Sequence, residues 1–193
     1  MPIKPSDSLL AAGKIITFLF VALFGLLLAA ALGFAVNGLI VVAHLMLTEP
    51  SNAEGPFVVP VFFSMSALAF LGAGLFAVCF YFFKSLDRII DTVGAGDPLT
   101  LENVKRLNLM GWLVLLSQIF PPILKYAANL LAQRAAKQSP DHLLTEALLQ
   151  MPTIFDTTAS GVGYSMLLAL VLFILARIFK YGAQMREDPE GTV

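Results

Sequence analysis

Two histidines, one cysteine and four amide or ammonium side chains in apolar surroundings are the groups through which this 193-residue chain could do chemistry. A zinc site needs three or four His, Cys or carboxylate ligands at short spacing. Neither His44 nor His142 has a second His or a Cys at such a spacing, and both read as interfacial or surface residues. Cys79 has no partner for an intrachain disulfide and reads as a small buried hydrophobe. No G-x-S-x-G, H-E-x-x-H or Walker A pattern occurs. Gly94-Ala95-Gly96 lacks the length and the following Lys of a phosphate loop and reads as a turn. No nucleophile, base and orienting group recur together. The expectation is therefore a protein that is not an enzyme, with no catalytic, cofactor-binding or metal residues.

The amides and the ammonium point to different chemistry. Polar groups inside a bilayer are costly and are often functional. Asn37, Gln118, Lys125 and Asn129 sit in or beside apolar runs, and on an unbroken helix the last three share one face. One reading is hydrogen bonding between helices for Asn37 and Gln118, with Lys125 reaching outward to the interface. The other is a polar pocket opening to the outer side, as in a small oligomeric transporter or channel. Pro121-Pro122 weakens the shared face, because a break there rotates Lys125 and Asn129 away from Gln118. The absence of an acid in mid-span argues against a proton-coupled pump.

The elements that must carry these groups follow from the distribution of charge. The chain has 12 Lys or Arg, 13 Asp or Glu and 58% hydrophobic residues, whereas a soluble domain has about 25% charge. Residues 15–43, 57–83, 107–124 and 157–176 carry no charge at all. A crossing helix needs about 20 mostly apolar residues, so the fold class expected is all-α. It is a polytopic membrane protein with four transmembrane helices in two hairpins, forming one membrane domain over 1–193. The spans are expected near 14–47, 57–93 with an inner extension, 100–132 kinked at 121–122, and 160–184. A short amphipathic outer helix is expected near 140–151. The first apolar run is far longer than the core of a signal peptide and reads as an uncleaved span.

Lys and Arg in excess mark the cytoplasmic side. Lys4, Lys14, Lys84, Arg88, Lys105, Arg106, Arg177, Lys180 and Arg186 fall in the N-terminal segment, the 84–106 segment and the tail; only Lys125, Arg134 and Lys137 fall in the alternate segments. Both termini are expected in the cytoplasm. Two ladders of small residues at a spacing of four, Gly25/Ala29/Gly33 and Ala69/Ala73/Ala77, read as sites of close helix packing or of a homo-oligomer contact. The net charge of −1 gives no reason to expect direct binding of nucleic acid.

The 84–106 segment carries the densest pattern. Leu86, Ile89, Ile90 and Val93 recur at i, i+3, i+4, i+7, with Asp87, Arg88 and Asp91 largely between them, so the second helix continues as an amphipathic extension. Thr100 is the expected N-cap of the third helix, Glu102 favours its N-terminus, and Glu102 and Arg106 are spaced for an i,i+4 pair. The stretch Gly96-Asp97-Pro98-Leu99-Thr100-Leu101-Glu102-Asn103-Val104-Lys105-Arg106-Leu107, followed by Gly111-Trp112, resembles a G-x-P-F-T-x-E-N-x-x-R-L signature. The tail Ala176-Arg177-Ile178-Phe179-Lys180-Tyr181-Gly182, then Arg186-Glu187-Asp188, is similar to the closing pattern of the same family. That family is the bacterial integral-membrane group catalogued as domain of unknown function 2975. Leu99 departs from its more usual Phe. Its members are often encoded beside a small helix-turn-helix transcription regulator. The resemblance thus implies a protein of the bacterial inner membrane that senses a signal or tethers such a regulator. Asp87, Arg88, Asp97, Glu102, Asn103, Lys105, Arg106 and Arg186 are the candidate exposed residues for that contact.

Overall fold

The computed structural model describes residues 8–48, 55–138 and 159–187, and all the regular structure among them is helical. In chain order the helices are α1 (Ser8–Thr48), α2 (Gly55–Gly94), α3 (Leu101–Ser117), α4 (Phe120–Gln138) and α5 (Ala159–Glu187). Four stretches are long and apolar enough to cross a membrane: Leu10–Thr48, Val59–Gly94, Leu101–Gln133 and Gly161–Met185. Their outer faces suit lipid rather than water. Phe18, Leu26 and Ile40 of α1 are each more than three-fifths exposed, a display that a water-soluble helix avoids. The outer helix expected at 140–151 lies outside the described residues, as does His142.

The interruption of the third span falls at residues 118–119, just ahead of the two prolines. Pro121 and Pro122 have no N–H to give to the carbonyls four residues back, so the ladder of α3 ends at Ser117 and a new helix starts at Phe120. The kink expected at 121–122 is therefore a break into two helices. Pro60, by contrast, sits in the second turn of α2 without ending it. Hydroxyls in apolar surroundings are satisfied within their own helices: Thr17 donates to the Gly13 carbonyl, Ser66 to Phe62 and Ser85 to Tyr81.

The chain forms two compact units. Among the described residues the first comprises 8–25, 78–117 and 159–187. Its core joins Ile89 of α2 and Leu107, Met110 and Val114 of α3 to Ala169, Leu172 and Ala176 of α5. Gly111 lets the Phe173 ring approach so closely that a Cβ there would lie 2.8 Å from it. Trp112 meets the same ring edge-on, with centroids 5.8 Å apart. Phe20, Phe24 and Phe83 stack where α1 runs beside α2.

The second unit comprises, among the described residues, 26–48, 55–77 and 118–138. Leu131 and Ala132 of α4 pack on Val61, Met65 and Leu68 of α2. Here α1 and α2 meet at Gly38, where an added Cβ would fall on the Ser66 hydroxyl. Ala35 and Val42 flank that crossing and are buried.

Candidate functional site

The polar end of the first unit is organised by one turn and one amide. After Gly94 the chain closes α2 with a paired C-terminal cap: the Asp97 N–H donates to the Thr92 carbonyl at 3.1 Å and the Gly96 N–H to that of Val93 at 3.0 Å. Such a cap needs a left-handed residue, and Gly96 supplies it at φ +82°. The chain then starts α3 at Thr100, whose hydroxyl accepts the Asn103 N–H at 3.2 Å while its carbonyl accepts that of Val104. This is the N-cap geometry expected from the sequence.

Asn103 spans the turn. Its Nδ2 donates to Thr92 Oγ1 at 2.6 Å and to the Pro98 carbonyl at 3.0 Å, and its Oδ1 accepts from Arg106 Nη1 at 3.0 Å. One amide thus ties the end of α2, the turn and the start of α3 together. Arg106 extends the tie, with Nη1 also 3.4 Å from the Arg88 carbonyl and Nη2 2.8 Å from Glu102 Oε2. Asn103 is fully buried, and no buried side-chain polar atom among the described residues lacks a partner. In a low dielectric a satisfied network of this kind specifies one geometry.

Two neighbouring segments complete this end. Lys14 of α1 forms an ion pair with Asp91 of α2, and Leu10 packs on Gly94. Leu99, in the turn, rests on Gly182 of α5, where a Cβ would lie 3.0 Å from it. The two stretches on which the resemblance was drawn are therefore in direct contact.

Of the eight residues read as an exposed contact surface, Arg88, Asp97, Glu102 and Lys105 are exposed, and Asp87 is half-buried. Arg106 keeps 20% of its side chain exposed. Asn103 corrects the expectation. It is the most enclosed of those described, because the turn folds back over its amide, and it holds the surface rather than forming part of it. The side chain of Arg186 lies outside the described residues. Thr92, the Pro98 carbonyl and Gly182 were not singled out from the sequence; their roles arise only when the turn closes.

The second set of polar candidates is divided by the helix break. Gln118 lies in the turn between α3 and α4, while Lys125 and Asn129 are half-buried on α4. Asn37 is exposed on α1 beside a small niche of about 80 Å³ that includes Gly38 and Ser66. The small-residue ladders also sort unevenly. Gly25 touches the Phe80 ring, but Ala29 is exposed and Gly33 faces open space. Ala73 is buried, with Ala69 and Ala77 half-buried around it. His44 accepts the Thr48 hydroxyl at its carbonyl, and no group of His, Cys, Asp and Glu suited to a metal occurs among the described residues.

The model of the family described as "Protein of unknown function (DUF2975)" matches residues 43–193. No curated protein matches the chain, and no solved structure matches it.

Proposed function

The chain belongs to the DUF2975 family, proteins of unknown function, and from that premise we propose that it is a non-enzymatic protein of the bacterial inner membrane. It crosses the membrane four times as two helical hairpins, with the 140–151 segment as an amphipathic helix on the outer side and both termini in the cytoplasm. Its cytoplasmic face binds a small helix-turn-helix transcription regulator, as a sensor or as a membrane tether. The observation that supports this reading most is the amide of Asn103. A fully satisfied buried amide stiffens the short turn between α2 and α3, and charged side chains of both signs stand around it. A preorganised charged surface favours selective encounter with a charged partner.

The test is co-purification from native membranes of the full chain with a tagged small regulator of this class. Asp97→Lys combined with Lys105→Glu reverses two exposed charges without touching the Asn103 bonds. Recovery of the regulator should fall severalfold. Unchanged recovery would sink the regulator reading.

A further inference from the structure

An open groove of about 710 Å³ runs between α3 and α5, a size typical of small-molecule sites. Its α5 wall presents Arg177, Lys180, Tyr181 and Gln184 at i, i+3, i+4, i+7, which is one helical face. Asn108 faces them from α3, and deeper along α5 the wall becomes apolar at Phe173 and Ile174. Among the described residues no acidic side chain lines the groove. Lys14 and Arg106 have carboxylate partners, but Arg177 and Lys180 have no ion-pair partner among the described residues. The groove also sits at a particular level of the chain. Arg177 follows the charge-free run 157–176, and Asn108 stands at the start of the charge-free run 107–124. Headgroups and hydrocarbon meet at such boundaries.

We propose that this groove is a binding site for an anionic phospholipid. The phosphodiester lies between the Arg177 guanidinium and the Lys180 ammonium, with Tyr181 and Asn108 as further donors, and an acyl chain runs over Phe173 and Ile174. Two cations with no carboxylate beside them among the described residues match a single phosphate, and basic pockets between membrane helices recognise anionic headgroups in this way. The proposal needs only insertion in a bilayer and stands apart from any protein partner.

The chain carries its own reporter. Trp112 is the single Trp, is 63% exposed, and touches Phe173, which lines the groove. Bromine on an acyl chain in the groove will quench it. The purified full chain is reconstituted in phosphatidylcholine vesicles containing a small fixed fraction of brominated-chain phosphatidylglycerol or of brominated-chain phosphatidylcholine. Quenching by the anionic lipid should correspond to about tenfold or greater preference, as expected for two cations near an anionic headgroup. The preference should fall severalfold in Arg177→Gln/Lys180→Gln, and survive both in Arg177→Lys/Lys180→Arg and in Arg88→Gln. Equal quenching by the two lipids overturns the proposal. So does loss of preference in the charge-conserving variant, or an equal loss in Arg88→Gln, the mark of diffuse attraction to the whole surface.

Discussion

Removing the Asn103 side chain beyond Cβ should open the turn between α2 and α3 while leaving the helices formed. Asn103→Ala deletes two neutral hydrogen bonds, to Thr92 Oγ1 and the Pro98 carbonyl, and one from the charged Arg106. Neutral bonds contribute about 1 kcal/mol each and a charged one about 1.5–3 kcal/mol. The sum overstates the loss, because such terms are not additive. The Thr92 hydroxyl keeps its bond to the Ile89 carbonyl, and Arg106 keeps Glu102. A local cost of about 2–4 kcal/mol follows. At about tenfold per 1.4 kcal/mol, amide exchange across residues 97–106 in mild detergent should speed up by about 30-fold to several hundredfold. Amides in the middle of α4 should exchange as before. A double-mutant cycle with Thr92→Val isolates the shared bond: the second substitution should cost less in the Asn103→Ala background than alone. Exchange at 97–106 that matches the unaltered chain would refute the clamp.

Four further outcomes follow from the same geometry. Gly38→Ala drives a methyl onto the Ser66 hydroxyl and should lower stability in detergent by about 1–3 kcal/mol, whereas Gly33→Ala, which meets only open space, should be neutral within error; equal melting shifts would contradict the placement of the crossing. Gly111→Ala must displace the Phe173 ring, so a similar loss should appear together with a shifted Trp112 emission. Gly96→Ala puts a side chain at φ +82° and should cost about 1–2 kcal/mol, read as faster exchange of the Gly96 and Asp97 amides. A fluorescent reporter that matures only in the cytoplasm, fused after Val193, should glow; a dark fusion with a working periplasmic one reverses the topology.

Much of the architecture was legible because a bilayer demands long runs without charge, and such runs can be read directly. The N-cap at Thr100 and the Glu102–Arg106 pair were legible too, since both are local in sequence and their spacing is their geometry. Asn103 was not. A polar residue among charged ones looks exposed, and only closure of the turn over Thr92 and Pro98 buries it. The small-residue ladders show a related limit. A spacing of four says that one face of a helix is narrow but not which neighbour it meets. Among the glycines of α1 the tightest approach falls at Gly38, against a Ser66 that belongs to no ladder. The prolines marked the break in the third span, but it sits three residues earlier, because the bonds a proline cannot make end on carbonyls upstream.

The contact of Leu99 with Gly182 has a consequence for the order of assembly. Every bond of the Asn103 network joins residues between 88 and 106, so the turn can close soon after that stretch is synthesised. The seat for Leu99 belongs to a helix made some eighty residues later. Chains emerge from the ribosome at about 5–20 residues per second, so several seconds separate synthesis of the turn from synthesis of the α5 glycine on which Leu99 rests. Through that interval Leu107, Met110 and Val114 of α3 await the α5 residues on which they pack. Arrival of α5 ends the interval. It also brings Arg177 and Lys180 beside α3, so the basic groove exists only in chains in which α5 has packed on α3.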